Sequence, residues 1–595
     1  MSYVNPGAQA SPDVLSVQNG SWHRDLFADA EAASKTVAQV HVELSPHDRA
    51  LKAIERVLID QHMICAGFSS GKDSSALVNL LFNAAINVMA AGHKCPPIFV
   101  SHSDTGVESP VVRALADGEL KKMRAFADRH AIPLEIRVSR PTLSAGFATR
   151  IIGGRALPSF PQSTADCSRS WKIEPAQRTL SNLVKHRAKD APAVVTMVGT
   201  RSAESAARAI NTAARKETAH AIWYSDTGAA RLSPILDWES SDVWEYLALA
   251  AAGEYPSYSD FADTMEFYSD AGASSCVIVA DMRSAATSKP CGARSGCWAC
   301  VKTSADHSVE NMIAQNPGKY PYLVPLLELR GFISATQWDW GRRNFLSRTI
   351  TPEGRMKVGA DQYSPKMVED LLYYTLSAQD RANELGAPAR VQPVGVRELL
   401  AIDWYWSARA WHPPFHAIHI FLDHCAGNRR YAPKIAQPVR PSPAPVIGEI
   451  EVGTDWDDNV SELFPSGLRH PVWESFIDSC GPALRSNKAG KVFMQLDEGP
   501  EFDVDEEAAW DFLQFLAEEK IEQYHRHDTL DWTIGAMTYL QLGVVTLATG
   551  QSSAVDSMIR RSQWLQRHGL HGHQTPETLR ARCSTLVETQ AELFA

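Results

Sequence analysis

The chain has 595 residues, of which 44% are hydrophobic and 21% are charged, and its net charge is −11. This length exceeds one hydrophobic core, and the composition excludes a membrane-embedded or disordered protein, so we expect several globular domains. The negative charge argues against strong independent binding to duplex DNA, which needs a basic face, although a partner can deliver DNA to an acidic chain.

The domain organisation is predicted from changes in pattern along the chain. The ten cysteines are too sparse for a disulfide scaffold, and the N-terminus lacks the pattern of a signal peptide, so we expect a cytoplasmic protein without membrane contact. The predicted regions are an N-terminal arm (1–45), an α/β domain (46–255), an irregular cysteine segment (256–320), a helical domain (321–432), a proline-rich linker (433–448) and a C-terminal partner-binding module (449–595).

Apolar strand-like runs alternate with helix-like runs from about residue 60 to 250. The predicted strands are His62–Gly67, Pro97–Ser101, Leu134–Val138 and Ala193–Gly199. The predicted helices are Ser74–Ala91, Val111–His130, Ala203–Glu217 and Ser240–Ala251. This alternation predicts βαβ units and a doubly wound, mainly parallel sheet, in which ligands bind at the carboxyl ends of the strands.

The turn after the first predicted strand has the composition of a phosphate-binding loop. Residues 63–75 read MICAGFSSGKDSS, so an apolar strand enters a Ser/Gly-rich turn and a helix leaves it. Backbone N–H groups of Ser69, Ser70, Gly71 and Ser74 suit an anion, Lys72 adds a cation, and Asp73 adds a carboxylate that can hold Mg²⁺. The spacing excludes a Walker A loop. The turn resembles the PP-loop, S-G-G-x-D-S, of ATP pyrophosphatases, with Ser70 in place of the first glycine.

Three later segments place polar residues at further strand ends. Residues 101–110, SHSDTGVESP, contain Asp104 and Thr105, which can meet a nucleotide in the same crevice. Residues 166–175, DCSRSWKIEP, contain Cys167 and Lys172, and residues 198–208, VGTRSAESAAR, place Arg201 between a strand and a helix, a good position for contact with phosphate.

Together with LSPILDWE at 232–239, these ordered segments resemble the PAPS reductase-like ATP pyrophosphatases, and within that superfamily most closely the DndC family of bacterial DNA phosphorothioation. The resemblance covers about residues 55–305. It implies an adenine nucleotide alpha-hydrolase-like fold and an ATP pyrophosphatase that adenylates an acceptor. It also implies that residues 69–74, Asp104, Thr105, Lys172 and Arg201 bind ATP, with Lys72 and Arg201 stabilising charge and Asp73 holding the metal.

Four cysteines form a candidate metal centre. Cys276, Cys291, Cys297 and Cys300 are separated by fourteen, five and two residues, and four thiolates with a closing C-x-x-C bind either zinc or an iron–sulfur cubane. The resemblance to the C-G-x-x-R-x-G-C-W-x-C segment of the DndC family implies a 4Fe-4S cluster, with zinc as the alternative. Cys167 is left open between a sulfur carrier and a packed thiol.

Histidines cluster near the tryptophans of the predicted helical domain. The spacing of His412, His416, His419 and His424 is compatible with a metal-binding helix face, but we expect a helix that packs an aromatic face into the core. A small basic cluster at 560–582 predicts only weak DNA binding by the chain itself.

The resemblance implies a reaction sequence and partners. An acceptor oxygen, in the DndC family a non-bridging oxygen of the DNA backbone, attacks the α-phosphorus of ATP, pyrophosphate leaves, and a sulfur nucleophile then displaces AMP. The implied partners are a cysteine desulfurase or other sulfur donor, other anti-phage defence proteins, and DNA through one of these; a homo-oligomer is left open.

Two other functions remain alternatives. A PAPS or APS sulfonucleotide reductase shares the fold, but the E-C-G-[IL]-H segment with its reactive cysteine is not found in the sequence. A nucleotide-sensing component that binds ATP without turnover is favoured by Ser70 in the loop and by the large C-terminal half without a match.

Overall fold

A computed structural model of the protein describes residues 44–161, 163–185, 192–272, 296–447, 449–451, 467–469, 484–486, 492–494, 498–525 and 531–581. The chain divides into two units, Met1–Ser45 and Pro46–Ala595, and the elements named below belong to the second. Most of the predicted arm, together with Cys276 and Cys291, lies outside the described residues.

The helices surround a central sheet and continue into the C-terminal region. Their bounds are α1 Pro46–Ile59, α2 Lys72–Ala90, α3 Pro110–Arg129, α4 Asp166–Ser168, α5 Glu174–Lys185, α6 Ala206–Ala214, α7 Ser240–Ala251, α8 Ala262–Ala271, α9 His307–Gln315, α10 Val324–Ala335, α11 Pro365–Glu384, α12 Val396–Ser407, α13 His416–Cys425, α14 Glu506–Asp511, α15 Ala517–His525, α16 Ile534–Gln541 and α17 Ser552–Arg567. Short π-helical turns occur at Ala148–Ile152, Arg169–Ile173 and Phe512–Leu516, and short 3₁₀ turns at Ser202–Glu204, Pro321–Leu323, Trp340–Arg342 and Gly467–Arg469.

Within the described residues, the strands form one large sheet and three small ones. Their bounds are β1 Met63–Phe68, β2 Ile98–Ser103, β3 Leu134–Ser139, β4 Val194–Met197, β5 Trp223–Tyr224, β6 Ala230–Leu232, β7 Arg343–Ile350, β8 Arg355–Tyr363, β9 Ile450–Glu451, β10 Leu484–Ser486, β11 Val492–Met494, β12 Glu498–Gly499, β13 Asp503–Val504 and β14 Val545–Ala548. The small sheets have the orders β7-β8-β9, β10-β11 and β12-β14-β13.

The large sheet positions the site. Its strand order is β3-β2-β1-β4-β6-β5, and its pairs are parallel except for β5, which runs antiparallel to β6. Ile64 of β1 lies opposite Ile98 of β2 on one side and Val195 of β4 on the other. The strand order therefore reverses between β1 and β4, and such a switch point opens a crevice at the carboxyl ends of the strands.

The predicted α/β fold is confirmed, and the predicted elements of the sheet agree with the structure to within a few residues. The C-terminal region is mostly helical, as predicted, but the later regions also contain regular elements that the sequence interpretation did not name. Residues 256–320, expected to be irregular, contain α8 and α9, and the region expected to be helical from 321 contains the antiparallel hairpin of β7 and β8. Phe345 and Met356 of this hairpin are buried in a small separate core with Trp564, so distant contacts stabilise the strands.

One hydrophobic core joins the sheet to the helical region. Trp406 of α12 is buried and donates its indole N–H to the carbonyl of Ile152 (2.8 Å), and Arg409 donates to the carbonyl of Gly153 (2.9 Å). Gly154 has φ of +70°, and a Cβ there would clash with the ring of Trp411. Both the positive φ and the close approach of the Trp411 ring therefore require glycine at position 154, where the helical region packs against the sheet domain.

The C-terminal residues contribute to the same core. Asp403 of α12 is buried and accepts hydrogen bonds from the hydroxyl of Tyr539 (2.9 Å) and from the backbone N–H of Ala417 (2.7 Å). Burial raises the pKa of Asp403 to about 6, with these hydrogen bonds opposing the rise. The contacts fasten α16 and the start of α13 to α12.

Residues 433–445 contain no helix or strand and are largely exposed. The proposed domain boundaries, including this linker, stay predictions. Within the described part of the chain, no helix combines the length and apolar character needed to cross a membrane.

Candidate active site at the carboxyl ends of the central strands

The loop between β1 and α2 presents backbone N–H groups at a helix N-terminus. Ser69 donates its backbone N–H to Ser74 Oγ (3.2 Å), and the hydroxyl of Ser74 donates to the carbonyl of Gly71 (2.9 Å). The backbone N–H of Lys72 donates to the hydroxyl of Tyr268 at the long distance of 3.4 Å. The N–H groups of Ser69 and Lys72 thus have partners within the protein, and an anion at this helix end would meet the positive end of the helix dipole.

Ser70 occupies the position where the resembled motif has glycine, and its backbone φ is +56°. This left-handed conformation is strained for a residue with a side chain. The hydroxyl of Ser70 donates to the carbonyl of Ser69 (2.6 Å), a local bond that holds the turn. The substitution thus retains the backbone shape of the loop.

Asp73 is held between two cations. Lys72 Nζ donates to Asp73 Oδ2 (2.9 Å), and Arg201 Nε donates to Asp73 Oδ1 (2.6 Å). Lys72 and Arg201 are both buried. Residues selected from two separate segments, Lys72 and Asp73 from the loop and Arg201 from the end of β4, therefore form one cluster, and its two cations share a single carboxylate.

The path of the chain after β4 brings Arg201 to this cluster. A Cβ on Gly199 would lie 3.3 Å from the carbonyl oxygen of Asp73, so the two backbones approach closely where a glycine stands. Arg201 Nη1 also donates to the carbonyl of Trp238 (3.5 Å). Two backbone contacts therefore position Arg201: the close approach of Gly199 to the backbone of Asp73, and the bond to the carbonyl of Trp238.

Each oxygen of Asp73 already accepts one hydrogen bond, and each has a second lone pair. Mg²⁺ usually keeps several waters and takes one or two carboxylates together with substrate phosphates. Asp73 therefore fits a role as a Mg²⁺ ligand beside bound phosphates, and this role stays a prediction.

Asp104 lies at the end of the neighbouring strand β2 and is also held by cations. It accepts hydrogen bonds from Arg140 Nε (3.0 Å) and from the backbone N–H of Gly106 (3.0 Å), and Arg113 lies 3.5 Å away. Burial would raise the pKa of Asp104, but Arg113, Arg140 and the Gly106 amide outweigh it, so the pKa lies below its usual value. Asp104 is ionised at neutral pH.

Thr105 joins the β2 loop to the cysteine segment. Its backbone N–H and its hydroxyl donate to the carboxylate of Glu108 (3.0 and 2.7 Å), and its hydroxyl lies 3.6 Å from Cys297 Sγ. The backbone N–H of Trp298 donates to the carbonyl of Val107 (2.9 Å). The cysteine segment therefore contacts the loop that carries Asp104 and is hydrogen-bonded to it.

Cys297 and Cys300 face a cavity of about 160 Å³ that Cys167 and Lys172 also line. The backbone N–H of Cys300 donates to the carbonyl of Cys297 (3.0 Å), which closes a turn between the two cysteines, and Arg330 Nε donates to the carbonyl of Cys300 (2.8 Å). Burial raises the pKa of Cys297 to about 11, and Lys172 partly opposes this rise. The two described cysteines thus fit one side of a metal or cluster site.

The structure sorts the predicted residues into two groups. The first group is the loop cluster, which consists of Lys72, Asp73 and Arg201 with residues 69–71 and 74. The second group lies at the cysteines: Cys167 and Lys172 line the cysteine cavity. The loop with Asp104 and Thr105 lies against the cysteine segment. Sequence reasoning missed Tyr268 and Arg140. Neither has a local signal, because Tyr268 lies within the apolar pattern of α8 and Arg140 follows a strand without a recognised motif.

Comparison with known families identifies the sheet domain. Residues 63–256 match the family described as the phosphoadenosine phosphosulfate reductase domain. This segment, about a third of the chain, contains β1 to β6 and both the phosphate loop and Arg201. It is therefore a PAPS reductase-type domain of the PP-loop superfamily. No curated protein matches the chain.

Several solved structures resemble part of the chain. One is FMN adenylyltransferase from Candida glabrata, in complex with FMN and an ATP analogue, with 13% identity over 37% of this chain and 63% of that chain and a TM-score of 0.22. Another is the U34-tRNA thiolase NcsA from Methanococcus maripaludis with its [4Fe-4S] cluster, with 14% identity over 37% of this chain and 70% of that chain and a TM-score of 0.23. The chain thus spans less than two thirds of the adenylyltransferase, and TM-scores this low do not define a shared overall fold.

Proposed function

We propose that the protein is an ATP pyrophosphatase that adenylates an acceptor. The observation that carries the proposal is the cluster of Lys72, Asp73 and Arg201 beside a helix N-terminus at the switch point of the sheet. Two buried cations share one carboxylate, so the cluster has one positive charge in excess. A phosphate group at the loop would supply the missing negative charge.

The chemistry proposed for this cluster is nucleotidyl transfer. An oxygen of the acceptor attacks the α-phosphorus of ATP, and the bond to the β-phosphate breaks, so that pyrophosphate leaves with the bonding electrons. Lys72 and Arg201 stabilise the charge that develops on the phosphates, and residues 69–74 hold them in place. Bound Mg²⁺ would neutralise further phosphate charge.

We propose further that the adenylated acceptor receives sulfur. The cavity shared by Cys167, Cys297 and Cys300 adjoins the Asp104–Thr105 loop, which supports sulfur chemistry next to the nucleotide. A persulfide supplied by a cysteine desulfurase attacks the acceptor atom that bears the adenylated oxygen, and AMP leaves with that oxygen. A second thiol then attacks the donor-side sulfur, which breaks the S–S bond, leaves the outer sulfur on the acceptor and forms a disulfide with the donor cysteine. Cys167 is our choice for a thiol in this step.

The proposed acceptor is a DNA backbone phosphate, as in the DndC family, in DNA phosphorothioation or a related anti-phage system. The ordered motifs support this choice, together with residues 291–300, which read C-G-x-R-x-G-C-W-x-C and resemble the DndC-family segment with one residue fewer between the glycine and the arginine. Co-expression with a sulfur donor and partner proteins should place sulfur in DNA, measured by mass spectrometry of nuclease digests. DNA that contains no phosphorothioate under these conditions would exclude DNA as the acceptor and leave the adenylation proposal standing.

Two ATP analogues test which bond is cleaved. In the presence of Mg²⁺, β,γ-methylene ATP should still be cleaved to AMP, whereas α,β-methylene ATP should bind without cleavage. Asp73→Asn should abolish AMP formation, and Asp117→Asn, at an exposed acid of α3, should leave it unchanged. Cleavage of α,β-methylene ATP at the γ-phosphate would contradict the assignment.

Assays on the same purified protein distinguish the proposed ATP pyrophosphatase from the two alternative functions. Sulfite formation from PAPS or APS with a thiol reductant, without AMP from ATP, would indicate a sulfonucleotide reductase. Tight ATP binding with no cleavage in any combination of partners would indicate a nucleotide sensor.

The iron–sulfur proposal has its own test. Anaerobically purified protein should contain about four irons per chain. Cys297→Ser and Cys300→Ser should lose the iron, whereas Cys425→Ser, at an exposed cysteine elsewhere, should retain it. Stoichiometric zinc without iron would make this a zinc site instead.

A further inference from the structure

A second group of possible metal ligands lies in the helical region, outside the PAPS reductase-type domain. Glu369 of α11, His412 of the turn before α13 and His416 at the start of α13 each offer a ligand atom, and these atoms lie within 4.8 Å of one another. His412 is buried and the other two are partly buried. The spacing of four histidines was compatible with a metal-binding face, although we expected a helix packed into the core. In the structure a carboxylate from another helix, rather than His419 or His424, joins His412 and His416.

The backbone around His412 and His416 is conformationally restricted. Ala410 and Phe415, on either side of His412, have φ values of +50° and +65°, and neither is glycine. Ala417 donates its backbone N–H to the buried carboxylate of Asp403 (2.7 Å), which fixes the first turn of α13. The His412 and His416 rings stack with a centroid distance of 4.7 Å.

Hydrogen bonding leaves His412 with a nitrogen available for a metal. Its Nε2 lies 3.1 Å from the carbonyl oxygen of Pro365, which can only accept, so Nε2 must carry the proton. Nδ1 therefore has a free lone pair. Metal-binding histidines commonly donate their other ring N–H to a backbone carbonyl, which fixes the tautomer in this manner.

The separations fit a metal better than a direct ion pair. His416 Nε2 and Glu369 Oε2 are 3.9 Å apart, too far for a good hydrogen bond. Two ligands about 2.0–2.2 Å from one zinc ion would lie roughly 3–4 Å apart, so the pair already has this spacing. Lys366 contacts the other oxygen of Glu369 (3.1 Å) and also Asp370 (3.2 Å), and thus leaves Oε2 on the side of the histidines.

We propose that Glu369, His412 and His416 bind one Zn²⁺ ion or a similar divalent first-row metal. Two histidines and one carboxylate are a ligand set that zinc accepts, with a fourth position for water. The metal would join α11 to the start of α13, independently of ATP chemistry and of the cysteine cavity.

Cobalt distinguishes this site from the cysteine site. Chelator-treated, reduced wild-type protein is titrated anaerobically with Co²⁺, because thiolate ligands give an intense ligand-to-metal band that histidine and carboxylate ligands do not. We expect, besides any thiolate-bound cobalt, one equivalent with only weak visible bands. Glu369→Gln and His416→Gln should each lose that equivalent, and His419→Gln, one turn further along α13, should retain it.

Zinc analysis of the same four proteins gives the second readout. The wild type and His419→Gln should bind one more zinc per chain than Glu369→Gln and His416→Gln, with all four folded by circular dichroism. Equal zinc contents in the folded proteins would overturn the proposal. A wild-type cobalt spectrum that contains only thiolate-bound metal would also overturn it, whether or not the variants fold.

Discussion

Two carboxylates at the ends of adjacent strands, Asp73 after β1 and Asp104 after β2, are each held between two cations. The cations of Asp73 are enclosed, since the side chains of Lys72 and Arg201 are 9% and 4% exposed. Those of Asp104 are open, since Arg113 and Arg140 are 37% and 66% exposed. The two clusters thus differ in how far water reaches their cations, whereas the carboxylate of Asp73 is itself more exposed (23%) than that of Asp104 (10%).

The difference indicates which cluster binds an anion. Water can solvate Arg113 and Arg140, so their excess charge costs little. Lys72 and Arg201 have little water and one shared carboxylate, so their excess charge is unfavourable until a phosphate enters. We therefore expect the Asp73 cluster to act in phosphate binding and catalysis, and the Asp104 cluster to shape the loop that carries the cysteine segment.

The largest effect should follow from removal of Asp73, the carboxylate between the two enclosed cations. Asp73→Ala leaves two buried cations without a counter-charge and should lower the free energy of unfolding by about 3 kcal/mol. Added pyrophosphate should raise the thermal midpoint of this variant more than that of the wild type, because the anion replaces the lost charge. Denaturant unfolding with and without pyrophosphate measures both effects.

Unchanged stability of Asp73→Ala would contradict the view that Lys72 and Arg201 depend on this carboxylate. Asp104→Ala is the matched control. Because the cations beside Asp104 are exposed to water, this variant should gain little stability from pyrophosphate.

The two arginines should differ in catalysis. Arg201→Ala should reduce kcat/KM for pyrophosphate release by roughly 10²–10³-fold, because one donor to developing charge is lost. Arg140→Ala should change it by less than about tenfold, since its charge is solvated and its partner is Asp104. Equal losses for the two variants would remove the functional distinction between the clusters.

The sequence predicted the Asp73 cluster better than the cysteine cavity for a physical reason. Parallel strands bring their carboxyl ends together, so a motif after β1 and an arginine after β4 could be expected to meet. Cys167 and Lys172 reach the cavity through residues 140–175, which contain short π-helical turns rather than a periodic pattern. Their proximity to Cys297 depends on tertiary packing that no local spacing expresses.

The β7–β8 hairpin and the Glu369 site illustrate the same limit. The hairpin is stabilised by burial of Phe345 and Met356 against residues of the C-terminal region, which outweighs the helical pattern read from the sequence. His412 and His416 were noticed through their spacing, but Glu369 lies on another helix and joins them only in the folded protein.

The pH dependence of the free energy of unfolding should reveal the contribution of the Asp104 ion pairs. The folded-state pKa of Asp104 is lowered, so its ionised form stabilises the fold above the ordinary pKa of an aspartate, and this contribution is lost as pH falls through the folded-state value. Asp104→Asn should lower the free energy of unfolding by about 2 kcal/mol at pH 7. The difference from the wild type should shrink below about pH 4 in denaturant titrations; a difference that grows in acid would contradict the assigned ion pairs.

The smallest effect concerns the loop itself. Ser70 has φ of +56°, a conformation that costs a non-glycine residue about 1–2 kcal/mol, whereas glycine adopts it freely but loses more entropy on folding. Ser70→Gly should therefore raise the free energy of unfolding by up to about 1 kcal/mol and retain pyrophosphate release. Ser69→Gly is the matched control, because Ser69 is outside the left-handed region and its hydroxyl lies 3.2 Å from Ser74 Oγ, so this change should destabilise. If Ser70→Gly instead destabilises the protein as much as Ser69→Gly does, the bond from Ser70 Oγ to the carbonyl of Ser69 contributes more to the loop than the backbone strain costs.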